Sequence, residues 1–353
     1  MPSFTIDPKF LSHEAGIGTD TKEILKSFME EGWILENTPK SKKFLILGSL
    51  RKLRDFSVAY GMPPLRIPQS KSAKFCYMPH VSGAITKPEV PTIWRIHDIF
   101  PITNPEWFTK NGVNLFKNTI NQINLGQSFF LSNSYHTKNE FMKRFKIKDS
   151  DIEVIYCVPK DLTQSQPCQV CTICTTESIC PPAVRYLLTV GTIEPRKNLE
   201  KLIKSWKKSN LGSRNISLMI VGKFGWKISD KLRTYLETND DGVTYLGKIC
   251  DYSLHLVYKE SIGYISCSIN EGFNIPVEQA RHYQLPLVLS NISVHRELYE
   301  KYSANFFELD SDRGLANKML DLVTGNLPKS SAELRTQKHS KALNDALSRW
   351  VNF

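Results

Sequence analysis

Two short stretches bring together side chains able to hold an anion flanked by hydroxyl groups. The first is Ser268-Ile-Asn-Glu271-Gly272-Phe273-Asn274-Ile275-Pro276-Val-Glu-Gln279, preceded by the apolar run Ile262 to Cys267. The run predicts a short buried strand. Pro276 suits the first turn of a helix, where its missing N–H costs nothing. A strand, a glycine turn and a helix start leave backbone N–H groups and the positive dipole end facing whatever lies above the strand. Glu271 then sits in the turn and Gln279 about one helical turn inside, a layout suited to a phosphate with hydroxyls on either side. The second stretch, Thr192-Ile-Glu-Pro-Arg196-Lys197-Asn198, follows the apolar run Tyr186 to Gly191. Its two adjacent cations are placed to neutralise a diphosphate, and Asn198 is a good N-cap for a helix over 199–208.

Two further groups are weaker signals. Thr92-Ile-Trp-Arg-Ile-His97-Asp98 reads as a strand ending in two titratable residues, and the carboxyl end of a strand in an α/β sheet is where ligands bind. Either side chain is equally a plain structural cap. Gly16 and Gly18 lie between a strand at Phe4 to Ile6 and a helix expected over 21–31, where they would let backbone N–H groups approach a ligand. A tight turn explains the pair as well.

The elements that must position these residues alternate. Strands are expected at 4–6, 43–48, 92–96, 129–135 and 152–159, with helices over 114–125 and 137–145 between them. The alternation restarts at 186–191 and continues through strands beginning at Leu218, Val243 and Pro286. This βα alternation implies mainly parallel sheets covered on both faces. Residues 1–160 form one Rossmann-like domain and 184–330 a second. Residues 161–183 form a Cys-rich linker, and an amphipathic stretch in 331–353 is a candidate to cross back onto the first domain.

A length of 353 residues suits two domains, and 41% hydrophobic content is ample for their cores. The net charge of +11 favours a polyanionic neighbour. Between Lys40 and Lys74 nine basic residues face a single acid, Asp55. They read either as a solvated helix face or as a patch resting on anionic lipid, at about 1 kcal/mol per basic residue near such a surface. No zinc-finger, RNP or helix-turn-helix signature accompanies the charge, so nucleic acid is not expected. No apolar run reaches membrane-helix length and the start lacks signal-peptide character, which points to a cytoplasmic chain, peripheral at the inner face of the membrane. Its eight cysteines are then expected as thiols or metal ligands. Cys168, Cys171, Cys174 and Cys180 have a spacing similar to ferredoxin-type motifs except in the last gap. A zinc–thiolate clip, an iron–sulfur site and a metal-free insertion all remain open for them.

Glu-Gly-Phe-x-x-Pro, followed eight residues after its Glu by a polar acceptor, resembles the signature of family 4 retaining glycosyltransferases with the GT-B fold. Ile-His97-Asp98-Ile-Phe-Pro resembles a second motif of that family. Gly-Thr-Ile-Glu-Pro-Arg-Lys-Asn is similar to that of a mannosyltransferase-like subgroup. The resemblance covers about residues 3 to 325. It implies two Rossmann-like domains facing across a cleft and retaining hexosyl transfer, mannose from GDP-mannose included, with no metal required. His97 would lie beside the sugar and Glu271 would hold its hydroxyls. Gly16, Gly18, Asp98, Arg196, Lys197, Gly272, Phe273, Asn274, Ile275 and Gln279 would surround the nucleotide-sugar donor. The implied acceptor is a saccharide or lipid-linked saccharide of a surface polysaccharide. Three positions depart from the pattern: Thr192 stands for Arg, Asn274 for Gly and Gln279 for Glu. These departures keep open a non-catalytic nucleotide-sugar-binding protein, and a GT-B epimerase is a further alternative.

Overall fold

The structure, a computed structural model, describes residues 3–6, 16–30, 34–35, 73–81, 90–123, 125–169, 185–238, 241–331 and 336–350. The chain divides into two compact units, residues 1–158 with 335–353, and residues 159–334.

In the first unit the described strands are β1 (Ser3–Ile6), β2 (Ile34–Leu35), β3 (Phe75–Met78), β4 (Thr92–Ile96), β5 (Ser128–Ser132) and β6 (Ile152–Val154). They form one parallel sheet in the order β2-β1-β3-β4-β5-β6. Every residue of β3 and β4 is buried, as a parallel sheet covered on both faces requires. One face packs Phe4, Phe28, Phe75 and Tyr77, and the other Trp94, Phe116, Phe130 and Phe141. The helices α1 (Gly16–Glu30), α2 (Phe100–Thr103), α3 (Lys110–Asn121) and α4 (Tyr135–Phe145) cover these faces. The 4–6, 92–96 and 152–159 readings thus correspond to strands, although β6 is shorter than expected. The strand expected at 43–48, the basic stretch from Lys40 apart from Lys74, and Cys171, Cys174 and Cys180 lie outside the described residues. Cys168 is half-buried.

In the second unit the strands are β7 (Arg185–Val190), β8 (Ile216–Val221), β9 (Val243–Gly247), β10 (Gly263–Ser266), β11 (Leu287–Ser290) and β12 (Asn305–Phe307). Their order is β12-β11-β10-β7-β8-β9, all parallel. From β7 the chain builds outward on one side through β8 and β9, then returns to build the other side from β10. The topological switch point, the ligand-binding crevice of open α/β sheets, therefore lies between β7 and β10. The helices are α5 (Leu199–Ser209), α6 (Asp230–Thr238), α7 (Asp251–Glu260), α8 (Ile275–His282), α9 (Ser293–Tyr299) and α10 (Asp312–Thr324). Trp206, Leu202 and Ile203 on one side of α5 bury against Leu218, Met319 and Leu322. The last helix, α11 (Thr336–Trp350), belongs to the first unit. It buries Leu343, Ala346, Leu347 and Trp350 in the core with Phe4 and Phe28, and the Trp350 indole donates to the Ser150 carbonyl at 2.8 Å.

Two expectations need correction. Gly16 and Gly18 are not a loop: they occupy the first turn of α1, which starts five residues before the expected Thr21. Tertiary contact outweighs the poor helix propensity of glycine there, because Asp20, just past that turn, is buried against Arg95. Asn198 stands at the N-cap of α5 but makes no side-chain cap bond. It serves instead through a left-handed backbone, φ 54°, which asparagine adopts more readily than most residues.

Candidate functional site

The switch point of the second unit is built by the turns after β7 and β10. The β7 turn leaves the strand at Gly191, whose φ of +152° disfavours a side chain. A Cβ there would also meet Lys197 Cε at 3.2 Å, so glycine gives the lysine room to pass over the strand end. Residues 195–197 form a single 3-10 turn that presents Arg196 and Lys197 side by side. The β10 turn crosses this one, with Ile269 N–H donating to the Arg196 carbonyl at 2.8 Å. Gly191, Thr192, Lys197, Ser266 and Ser268 help to line a small cavity at the ends of β7, β8 and β10.

Glu271 is the centre of the cluster and is 3% exposed. Its carboxylate accepts from Arg196 Nη1, from Lys197 Nζ at 2.5 Å and from Ser268 Oγ at 2.7 Å. Arg196 also reaches Glu194 through Nε at 2.7 Å. Burial pushes the Glu271 carboxyl up, but the charges of Arg196 and Lys197 outweigh it and bring the pKa to about 2. Burial likewise holds the Lys197 ammonium below its usual range in spite of Glu271. Desolvation raises Glu194 above the ordinary carboxylate range, the nearby cations opposing. Two cations and two carboxylates thus balance in a mostly buried site, which a diphosphate would enter by competing for Arg196 and Lys197.

The strand–turn–helix reading around Glu271 holds in the structure. β10 ends at Ser266 and α8 starts at Ile275 with Pro276 in its first turn. Gly272, Phe273 and Asn274 are buried in the turn, and Ile275 is half-buried. Asn274 has φ 73° and ψ 65°, a left-handed conformation that glycine adopts freely and asparagine tolerates. That conformation accounts for asparagine at a position where the resembled family has glycine. Gln279 is 5% exposed, and its Nε2 has no hydrogen-bond partner among the described residues. Thr192 is half-buried at the strand end, where it lines the cavity together with Lys197.

His97 and Asp98 stand at the carboxyl end of β4 in the first unit. His97 Nε2 lies 3.0 Å from the Pro79 carbonyl, which can only accept, so Nε2 carries the proton and Nδ1 is the acceptor nitrogen. Burial lowers its pKa to about 4, against the opposing pull of Asp20. The Asp98 carboxylate accepts from Phe100 N–H at 3.1 Å, which ties down the loop into α2. Beneath them lies an ion pair that sequence reasoning missed. Arg95 binds Asp20 through Nε at 2.7 Å and Nη2 at 2.8 Å, and donates to the carbonyls of Ser132 and Ile155. Asp20, His97 and Cys157 are close enough together to suggest a metal site. The Arg95 guanidinium already supplies its cation, and burial keeps the Cys157 thiol protonated. Also missed were Glu194 and Ser268, both inside the stretches singled out, and His295, which no motif marks.

Residues 181–341 match the family model described as glycosyl transferases group 1. The O-antigen chain mannosyltransferase B of Escherichia coli is 25% identical over 229 residues, 62% of this chain and 55% of that protein. The serotype-specific mannosyltransferase WbdA of Escherichia coli is 31% identical over 127 residues, 35% of this chain and 16% of that one. The chain thus spans about half the length of the first relative and a small part of the second. The crystal structure of Anabaena Alr3699/HepE in complex with UDP-glucose superposes with a TM-score of 0.61 at 15% identity, covering 99% of this chain and 95% of that one. With two parallel sheets, each of six strands among the described residues, and this likeness, the chain has the GT-B fold.

Proposed function

We propose that the protein is a retaining glycosyltransferase that moves a hexose, mannose in our reading, from a nucleoside diphosphate sugar to a saccharide or lipid-linked saccharide of a surface polysaccharide. The observation that carries this reading is the pairing of Arg196 and Lys197 with Glu271 at the switch point of the second unit. The match to glycosyl transferases group 1, the O-antigen mannosyltransferase relatives and the UDP-glucose complex of a protein of the same fold support it. In the reaction, the bond between the anomeric carbon and the diphosphate oxygen breaks and its electron pair leaves with the phosphate. The acceptor hydroxyl oxygen bonds to the same face of the carbon, and its proton passes to the leaving phosphate. The centre passes through an oxocarbenium-like state. Arg196, Lys197 and the N-terminus of α8 would carry the charge that develops on the diphosphate, fixed positive charge in place of a metal ion. Glu271 would hold sugar hydroxyls, and the catalytic role proposed for His97 uses its acceptor nitrogen Nδ1. Among the described residues no helix is long and apolar enough to cross a membrane, and we place the protein at an anionic membrane surface through its basic stretch. The test is a thermal-shift screen against GDP, UDP and their sugars, followed by transfer to a mannosyl acceptor with the anomeric configuration of the product read by NMR. A nucleotide-dependent shift and an α-linked product from an α-linked donor are expected. No shift with any nucleotide, or an inverted product, overturns the reading.

A further inference from the structure

Behind Lys197 lies a chain of hydrogen bonds that runs from His295 through Asn274. His295, on α9, is fully buried. Its Nδ1 lies 3.0 Å from the Ser290 carbonyl, which can only accept, so Nδ1 carries the hydrogen and Nε2 is an acceptor. Nε2 takes a hydrogen from Asn274 Nδ2 at 2.9 Å, and the second hydrogen of that amide goes to Ser266 Oγ at 3.0 Å. With both hydrogens committed the amide cannot flip, and its Oδ1 is turned to Lys197 Nζ, 3.4 Å away. We propose that His295 is a positioning residue for Lys197, acting through Asn274 as the neutral acceptor that aims an amide oxygen at the ammonium. A glycine at 274 would satisfy the left-handed backbone equally but supply no oxygen. Asn274 and His295 therefore act as a pair, giving Lys197 a neutral second partner that a diphosphate need not displace along with Glu271.

The inference rests on the reading of Lys197 as a diphosphate ligand, and its test separates the two. Lys197 is first read without ligand, by its rate of acylation at fixed pH measured by mass spectrometry. His295→Leu and Asn274→Gly should each speed labelling about threefold, because the lost oxygen favours the charged amine by the modest amount of one long hydrogen bond. His295→Gln, which keeps an acceptor, should restore much of the protection. In the Asn274→Gly background, His295→Leu should add nothing, whereas a histidine that merely packs would add its effect again. Because glycine suits a φ of 73°, Asn274→Gly remains informative even where His295→Leu unfolds the unit. Unchanged labelling in Asn274→Gly, or additive effects in the double variant, overturns the proposal. The affinity for UDP or GDP is then measured on the same variants, with a loss of about threefold expected in each. If the labelling pattern holds but the unaltered protein binds neither nucleotide, the positioning stands and the donor-site reading falls.

Discussion

Replacing Glu271 by glutamine tests how the unliganded site keeps two cations buried. The Glu271 carboxylate neutralises both Arg196 and Lys197 and is buried, while the side chains of the cations are 20% and 12% exposed. Removing one partner of a buried ion pair costs about 3–5 kcal/mol, because the charge left behind has lost its solvation and its counter-charge. Glu194 still holds Arg196 and water reaches the guanidinium, so the lower part of that range, about 3–4 kcal/mol, is expected for Glu271→Gln. Denaturant unfolding at pH 7 measures it. Acid titration gives a second reading. A carboxyl brought to about 2 in the fold, from an ordinary 4.5, contributes stability that is present above pH 4.5 and lost as pH falls towards 2. The variant should lack that part of the acid dependence. Adding pyrophosphate should then reverse the loss, since it supplies the missing negative charge without first displacing a carboxylate. At a hundred times its Kd a ligand adds about 2.7 kcal/mol, and at one fixed pyrophosphate concentration the variant, binding it more tightly, should gain more than the unaltered protein. Equal stability of the two proteins, or equal gains with pyrophosphate, would refute the picture of cations parked on Glu271.

Lys197→Ala is expected to weaken nucleoside diphosphate binding by about 2–3 kcal/mol while barely changing nucleoside binding, as calorimetry can show; equal losses would remove Lys197 from the phosphate site. Gln279→Glu should destabilise the ligand-free protein, because it buries a carboxylate where one amide nitrogen already lacks a partner. The same change should tighten ribonucleoside diphosphate binding about tenfold, or 1.4 kcal/mol, through charge-assisted bonds to the ribose hydroxyls, with less gain for the 2′-deoxy analogue. The His97 pKa of about 4 lies below the unfolded value of 6.5, so its contribution is full above pH 6.5 and lost as pH falls towards 4. His97→Gln should flatten the stability profile in that window, and an unchanged slope would contradict the buried neutral imidazole. Asp20→Asn leaves Arg95 charged and buried with only neutral partners, the Ser132 and Ile155 carbonyls among them, and a loss of about 3–5 kcal/mol is expected on unfolding.

Local sequence determined much of this protein. Apolar runs bounded by glycine and proline marked β4, β7, β8 and β10 at nearly their final positions, because a buried parallel strand needs little beyond a short β-branched and apolar segment. The turn chemistry around Glu271 and Pro276, and the adjacent Arg196 and Lys197, were readable for the same reason: a strand, a tight turn and a helix start are set by neighbours in the chain. Other features were decided only by tertiary contact. The first turn of α1 takes in two glycines because the Asp20–Arg95 pair draws it onto the sheet, and those residues are 75 positions apart in sequence. The switch point exists only once β10 returns to pair with β7, which brings Glu271 against Arg196 and Lys197 from 75 and 74 positions away. His295 carries no local signal at all. Its tautomer, its hold on Asn274 and so its reach to Lys197 follow from burial beside Ser290, where each buried donor must find an acceptor and one arrangement satisfies them all.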